Sequence, residues 1–330
     1  MNDKIKWGIL STAAIATEHV IPAIMNSDYG EVIAIASRSM EKAKSVSEKF
    51  DIARYYDSYE QLLEDKEIDA VYIPLPNHMH IQWSINALAK GKHVLVEKPI
   101  GLSSIEAKQL LEESKKYPHL KVMEAFMYKH HPQWIKAKEL VKSGAIGEVK
   151  TIQSFFSFYD DDPNTIVNNK EYGGGSLMDI GCYPISLSRF IYDDEPETVF
   201  GSVEYHPELG IDTSATALLK FREGTSMFFS SIRFEDRQEA QIFGTKGKIE
   251  FQIPFNPIAN KPSSIFLHRD NKTEEIIFEL CDQYTIQADL FAQAIINNTD
   301  VPTPLQDAVD NMKVIEGIIE SDKLGKQVSI

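Results

Sequence analysis

The sequence has little cysteine: Cys182 and Cys281 are its two thiols among 330 residues. They do not form a CxxC pair and cannot build a disulfide framework, so reduced thiols and a cytoplasmic location are expected. No apolar stretch reaches membrane-spanning length. The first residues, MNDKIKWGIL, contain no apolar segment behind a basic start, so neither a transmembrane helix nor a signal peptide is predicted.

Positive charge is also scarce, with 34 Lys and Arg against 49 Asp and Glu and a net charge of -15. Such an acidic protein is poorly suited to phosphate backbones or anionic membrane surfaces. The longest acidic run, residues 160–162, is interpreted as a solvated loop. His78 and His80 have no further metal ligands at a suitable spacing. We therefore expect a small-molecule substrate and no nucleic-acid, membrane or metal partner.

Two kinds of apolar pattern divide the chain. In the first 122 or so residues, short apolar runs alternate with amphipathic helical patterns, which is typical of a parallel sheet covered on both faces. Beyond Gly147, longer segments alternate apolar and polar residues, which is typical of antiparallel strands with one covered face. We predict an α/β protein: an N-terminal Rossmann domain, residues 1–122, with a doubly wound parallel sheet, and a C-terminal α+β domain, residues 123–330, with a large, mostly antiparallel open sheet.

The predicted elements have the following approximate bounds. Strands are expected at 5–10, 32–36, 71–73, 94–96 and 121–125, and then at 149–158, 198–205, 213–221, 225–234, 238–243 and 248–253. Helices are expected around 15–24, 41–50, 81–89, 134–141, 286–296 and 308–319. The pattern does not decide on which domain the last two helices pack.

The turn after the first predicted strand lacks the glycines of the usual dinucleotide fingerprint. Where G-x-G-x-x-G/A would stand, the chain has Ser11, Ala13 and Ala16. All three are small, so the backbone can still approach a pyrophosphate, and the following helix still presents free N–H groups to an anion. We expect Ser11, Thr12, Ala13 and Ile15 to bind a nucleotide cofactor; a tight turn without a ligand is the alternative.

The second predicted strand ends without the carboxylate that an NAD site uses to bind the ribose 2′-hydroxyl. Ser37 and Arg38 stand there instead. A guanidinium is a strong partner for a phosphate, so these residues favour NADP, with NAD as the alternative cofactor. The structural alternative is an exposed arginine on a polar loop.

Two further strand ends carry polar or charged side chains. The candidates are Leu75, Pro76, Asn77 and His80 after the third strand, and Glu97 and Lys98 after the fourth. Because ligands of open parallel sheets bind beyond the carboxyl ends of the strands, we expect all six to contact the cofactor. Charged side chains at several neighbouring strand ends are hard to explain as strands merely leaving the core for solvent.

Several motifs resemble those of the Gfo/Idh/MocA family of NAD(P)-dependent oxidoreductases, and together they span essentially the whole chain. They lie at 7–16, 73–77 with His80, 91–99, 124–132, 173–183 and 244–247. The similarity is greatest to the branch of dimeric dihydrodiol dehydrogenase and NADP-dependent D-xylose dehydrogenase. In that branch a tyrosine replaces the family's catalytic histidine, and this chain likewise has a tyrosine, Tyr183, at that position. The resemblance implies a dehydrogenase acting on CH–OH groups, and a homodimer or higher homo-oligomer formed through the C-terminal sheet.

The resemblance also implies catalytic roles. Lys98 of Glu97-Lys98-Pro99 contacts the reacting oxygen and the cofactor ribose, and the peptide bond before Pro99 is often cis. Tyr183 is the general acid and base, and a nearby ammonium favours its phenolate. Asp179, one helical turn earlier, binds sugar hydroxyls or positions Lys98.

Phe126 and Tyr159 are candidates for lining a substrate pocket. The predicted function is NADP-dependent hydride transfer between nicotinamide and a carbinol or carbonyl carbon of a sugar, polyol or cyclic diol. The alternative is a non-catalytic protein on the same fold that senses NAD(P) or a sugar. Lys98 and Tyr183 favour the enzyme, because a sensor has no need of a proton-transfer pair.

Overall fold

A computed structural model describes residues 4–330; the first three residues, which open the N-terminal segment discussed above, lie outside the described residues. The chain divides into two compact units. One runs to Met127 and includes Asp282–Val309, and the other comprises Tyr128–Cys281 and Asp310–Ile330. The single boundary expected near residue 122 does not account for the return of segment 282–309 to the first unit.

The first unit is built on a six-stranded parallel sheet. In chain order its strands are β1 (Ile5–Leu10), β2 (Gly30–Ala36), β3 (Arg54–Tyr56), β4 (Ala70–Ile73), β5 (His93–Val96) and β6 (Val122–Glu124). The order across the sheet is β3-β2-β1-β4-β5-β6, and all neighbouring pairs are parallel. This is the order of a doubly wound dinucleotide-binding sheet, so the predicted Rossmann architecture is confirmed.

The helices connect and cover the strands. Those of the described residues are α1 (Ile21–Met25), α2 (Met40–Phe50), α3 (Tyr59–Glu64), α4 (His80–Ala89), α5 (Ser104–Ser114), α6 (Pro132–Lys142), α7 (Cys182–Tyr192), α8 (Gln283–Ile296) and α9 (Leu305–Leu324). The side chains of Ser39, Ser58 and Ser103 cap α2, α3 and α5 by accepting a backbone N–H three residues on. Between residues 4 and 330, no helix is both long and apolar enough to cross a membrane.

The second unit is built on a nine-stranded sheet. Its strands are β7 (Val149–Tyr159), β8 (Thr198–Tyr205), β9 (Asp212–Lys220), β10 (Thr225–Ser231), β11 (Arg233–Gly244), β12 (Gly247–Phe251), β13 (Ser263–Arg269), β14 (Lys272–Phe278) and β15 (Val328–Ser329). Their order is β14-β13-β12-β11-β7-β10-β9-β8-β15. The β7–β10 pair is parallel and the other neighbouring pairs are antiparallel, as expected for a mostly antiparallel open sheet.

Some elements differ from the sequence-based prediction. The strand expected at 225–234 is divided, because β10 ends at Ser231 and β11 begins at Arg233. The sequence patterns do not predict strands β3, β13, β14 and β15 or helices α3, α5 and α7. Nearly every residue of α7 is buried, so it has no polar face that would reveal a helical period. The helix expected from residue 15 begins with a π-turn, Ala16–Val20, before α1.

Helix α8 belongs to the core of the first unit. Ala288, Phe291 and Ala292 pack there in one apolar cluster with Trp7 of β1. The Trp7 and Phe291 ring centroids are 5.6 Å apart, and both side chains are fully buried. Aromatic side chains bury large apolar areas, so this contact ties a late segment of the chain firmly to the first sheet.

Candidate active site

The turn after β1 adopts a backbone conformation that is unusual for a serine. Ser11 has φ 146°, in the region that L-residues rarely occupy, and it stands where the fingerprint has its first glycine. Its hydroxyl accepts a hydrogen bond from Ala13 N at 3.1 Å, and Ala13 O accepts from Ala16 N and Thr17 N at 3.0 and 3.1 Å. Thr12, Ala13 and Ile15 are partly exposed on the same turn. The turn is therefore ordered, small and open at its surface, as a pyrophosphate site requires.

The end of β2 presents one exposed cation. Ser37 is buried, its N–H donates to Tyr56 O at 3.1 Å, and its hydroxyl accepts from Ser39 N at 3.3 Å. The Arg38 side chain is exposed. Burial raises the pKa of Tyr59 at the start of α3, and Arg38 and Ser11 oppose the rise.

His80 connects the loops that follow β4 and β5. Its Nδ1 lies 2.8 Å from Pro99 O and its Nε2 lies 2.6 Å from Leu75 O, and the side chain is fully buried. Burial lowers the pKa of His80 to about 4, while the two carbonyl oxygens oppose that shift. The His80 ring thus lies between the two loops, and as a neutral imidazole it donates a hydrogen bond to one of the two carbonyl oxygens. Pro76 and Asn77 are partly exposed.

The residues after β5 are fixed by a buried tyrosine. The Tyr72 hydroxyl donates to Glu97 Oε1 at 2.6 Å, and Lys98 N donates to Glu97 Oε2 at 3.2 Å. The Lys98–Pro99 peptide bond is cis, as the family resemblance implied. Lys98 is half-buried. Burial raises the pKa of Tyr284 on α8, the Glu97 charge adds to this, and Lys98 opposes it.

In the second unit, Asp179 and Tyr183 lie on one continuous segment. A π-turn, Leu177–Gly181, carries Asp179 and leads directly into α7, where Tyr183 is the second residue. The Tyr183 ring lies among aromatic side chains, with centroid separations of 5.7 Å to Tyr128, 5.6 Å to Phe156 and 5.3 Å to Phe255. This packing restrains the Tyr183 ring from several sides.

A buried carboxylate fixes the start of this segment. Asp212 Oδ2 accepts a hydrogen bond from Leu177 N at 2.6 Å. A Cβ added to Gly175 would stand 2.1 Å from Asp212 Oδ1, so only glycine permits this approach. Burial raises the pKa of Asp212 to about 6, and the backbone donors limit the rise. Asp212 thus sets where the segment with Asp179 and Tyr183 begins.

The two candidate substrate residues differ in exposure. Phe126 has no exposed surface. Tyr159 is 63% exposed, and its hydroxyl donates to Asp161 Oδ2 at 3.1 Å. Lys98 lies in the first unit, whereas Asp179, Tyr183 and Tyr159 lie in the second.

Sequence reasoning missed Tyr59, Tyr72, Asp212 and Tyr284. A tyrosine inside the apolar run of β4 was a weak signal, because a buried phenol normally needs a polar partner. Asp212, at the start of a strand, gave no signal. Within residues 4–330 there is no group of three or more His, Cys, Asp or Glu side chains arranged to hold a metal ion.

Comparison with known families matches both units. Residues 5–126 match the family described as "Oxidoreductase family, NAD-binding Rossmann fold", and residues 134–250 match "GFO/IDH/MocA C-terminal domain". A D-xylose 1-dehydrogenase (NADP(+)) of Haloferax volcanii is 34% identical, over 98% of this chain and 99% of its own. A trans-1,2-dihydrobenzene-1,2-diol dehydrogenase of Xenopus tropicalis is 32% identical, over 82% of this chain and 81% of its own.

A solved structure has the same fold over nearly the whole chain. It is KijD10, a 3-ketoreductase from Actinomadura kijaniata, in complex with NADP and TDP-benzene. The TM-score is 0.91 at 27% identity, covering 97% of this chain and 98% of that one.

Proposed function

Because the chain belongs to the Gfo/Idh/MocA family of oxidoreductases, we propose that it transfers a hydride between NADP and a carbinol or carbonyl carbon of a sugar, polyol or cyclic diol. The relatives named above as NADP-linked xylose dehydrogenase and as dihydrodiol dehydrogenase support both the cofactor and this substrate class.

The observation that carries the proposal is the carboxyl edge of the parallel sheet. Strands β2, β1, β4 and β5 are consecutive in the sheet, and their ends carry Arg38, Ser11, Asn77 and Lys98 respectively. The residues fit the cofactor. Ser11 already has a glycine-like backbone. At the end of β2, where an NAD site has a carboxylate for the ribose 2′-hydroxyl, the chain has the exposed Arg38. A guanidinium at this point suits a 2′-phosphate.

The reaction needs a hydride, a proton and stabilisation of charge on oxygen. Hydride exchange is the chemistry that a bound nicotinamide supplies. In the proposed mechanism, Tyr183 exchanges the proton with the substrate oxygen, and Lys98 stabilises negative charge on that oxygen. Asp179 binds substrate hydroxyls. Glu97, fixed by Tyr72, holds the backbone N–H of Lys98 and so orients it.

A cofactor and substrate screen tests this function directly. NADP and NAD are compared side by side, following absorbance at the nicotinamide band, over pentoses, hexoses, polyols and cyclic diols. Turnover with at least one of these substrates and a preference for NADP are expected. Binding of NADPH without turnover on any of them would favour the sensing protein instead.

Two variants test the roles of the residues. Lys98→Met and Tyr183→Phe should each lower kcat by roughly 10²- to 10⁴-fold, the usual contribution of a positioned proton-transfer or charge-stabilising group. NADPH binding, followed by its fluorescence, should persist in Tyr183→Phe, because the change removes one hydroxyl and keeps the ring. Full activity in either variant would contradict its assignment.

We also propose a homodimer or higher homo-oligomer formed through the second sheet. Phe200, Leu218 and Met227 are exposed and are direct cross-strand neighbours on β8, β9 and β10, so they form one apolar row on one face. Exposed contiguous apolar surface of this kind is typical of an interface. Leu218→Glu should shift the mass measured by light scattering towards the monomer; an unchanged mass would reject this face.

A further inference from the structure

The backbone on the N-terminal side of Tyr183 determines where its side chain begins. The peptide bond that joins Cys182 to Tyr183 is planar, so the position of Cys182 O fixes the positions of Tyr183 N and Cα. Tyr183 is the second residue of α7 and is followed by Pro184. A residue before proline is biased away from the helical conformation, so local preference alone does not hold Tyr183 in place. A contact made to this peptide bond from outside α7 therefore helps to fix Tyr183.

Asn311 on α9 makes such a contact. Its Nδ2 donates to Cys182 O at 3.2 Å, across a separation of 129 residues. Asn311 is 2% exposed and Cys182 is fully buried, so this hydrogen bond is made away from bulk water, where its loss is costly. Both residues belong to the second unit.

Arg189 on α7 sets the orientation of the Asn311 amide. One guanidinium nitrogen of Arg189 donates to Asn311 Oδ1 at 3.4 Å, and two others donate to the carboxylate of Glu195 at 2.6 and 2.7 Å. Arg189 is 4% exposed, and this bidentate pairing both compensates its charge and holds its planar fork. A guanidinium only donates and a backbone carbonyl only accepts, so the Asn311 amide fits in one orientation, with Oδ1 towards Arg189.

We propose that Asn311 is a positioning residue for Tyr183: by donating to Cys182 O, it fixes the peptide bond from which the proton-transferring tyrosine projects. This inference rests on the proposed function, which assigns proton transfer to Tyr183. Because the role acts through Tyr183, its loss should lower kcat and leave the affinity for NADPH unchanged.

The variant Asn311→Asp tests the contact with almost no change in side-chain size. Beside the Arg189 guanidinium the new carboxyl group is ionised, so it keeps an acceptor for Arg189 and faces Cys182 O with a second acceptor in place of the donor. With the substrate that the screen identifies, kcat should fall about 10-fold, because a small displacement of a catalytic group is costly. The dissociation constant of NADPH should change less than about 2-fold.

Asn260→Asp is the matched control. It introduces the same charge at an exposed asparagine of the second unit and should change neither kcat nor NADPH binding. An equal fall of kcat in the two variants would trace the effect to added charge and reject the role of Asn311.

A double variant separates positioning of Tyr183 from a general structural role. In a Tyr183→Phe background, Asn311→Asp should lower kcat by less than about 2-fold, because the hydroxyl that it positions is gone. A full 10-fold effect in that background would overturn the inference.

Hydrogen exchange provides a second readout that needs neither cofactor nor substrate. Amides in residues 177–187 should exchange about 5- to 10-fold faster in Asn311→Asp than in the unchanged protein, because the segment opens more readily without this hydrogen bond. Amides of α6, Pro132–Lys142, should exchange at an unchanged rate. Equal exchange of residues 177–187 in both proteins would show that Asn311 does not restrain this segment.

The outcomes distinguish this inference from the function on which it rests. If the unchanged protein turns over no substrate of the screen, the proposed function fails, and the role of Asn311 in proton transfer fails with it. If the unchanged protein is active and Asn311→Asp has the same kcat, only the role of Asn311 fails. Should Asn311→Asp not fold, Asn311→Leu is the second test, because leucine has a similar size and no donor; a kcat equal to that of the unchanged protein would again reject the inference.

Discussion

The two units place their candidate residues by different means. In the first, residues far apart in the sequence meet because parallel strands end at one edge of the sheet. In the second, Asp179 and Tyr183 are near neighbours in sequence, and one buried carboxylate, Asp212, fixes where their segment begins. The first arrangement depends on sheet topology, so it can persist when the fingerprint glycines of the turn after β1 are replaced by other small residues. The second depends on a local cap, and a single substitution there should disturb it.

The largest effect is expected where the first unit depends on a distant segment of the chain. Phe291→Ala should lower the free energy of unfolding by about 3–5 kcal/mol, because it leaves a cavity against Trp7. Denaturant unfolding followed by tryptophan fluorescence measures this. Ile105→Ala is the control, since Ile105 is 79% exposed on α5, and it should change the value by less than about 0.5 kcal/mol. A small loss at Phe291 would show that α8 is not essential to that core.

The Asp212 carboxyl group, which accepts a hydrogen bond from Leu177 N in the second unit, should make the free energy of unfolding depend on pH. The pKa of Asp212 is raised in the folded protein from 3.8 to about 6, so its contribution to stability is fully present below about pH 3.8 and is lost as the pH rises through 6. Near Asp212, the phenol of Tyr205 has its pKa raised by burial, with smaller contributions from Asp322 and Asp212. Asp212→Asn removes the ionisation.

Between pH 4 and pH 7, the stability of Asp212→Asn should therefore rise relative to the unchanged protein by about 2 kcal/mol, from 1.36 kcal/mol per pKa unit. Unfolding midpoints measured across this range provide the test. Asp236→Asn, at an exposed carboxylate, should show no such trend. Parallel stability curves for Asp212→Asn and the unchanged protein would mean that the Asp212 carboxyl is not strained by burial.

The smallest effect concerns the strained turn of the first unit. At most positions Ala is more stable than Gly, because Gly gains more freedom in the unfolded chain. At Ser11, with φ 146°, the order should be reversed, and Ser11→Gly should be more stable than Ser11→Ala by about 1 kcal/mol. Thermal unfolding of the two variants measures the difference in their stability. If the alanine variant were as stable as the glycine variant, the turn would be able to change its backbone conformation at residue 11 without loss of stability.

Much of the architecture could be predicted from local patterns, whereas several contacts could not. The strands at 5–10 and 198–205 have the predicted bounds, because their apolar residues follow a clear period and end at turn residues. Helix α7 lacks such a period because it is buried all round. The roles of Lys98, Tyr183 and Asp179 stay predictions. Asp212 accepts from Leu177 N across a separation of 35 residues, which no local pattern contains.

The alternation of strands and helices, the small residues of the first turn and the lack of a carboxylate after β2 can all be read from the residues alone, because they depend on residue type and local spacing. The return of α8 to the first sheet, the place of His80 between two loops and the cap that Asp212 gives to the segment bearing Tyr183 became visible only in the folded chain. A buried polar group must find its partner in space, and folding determines which distant residue supplies it.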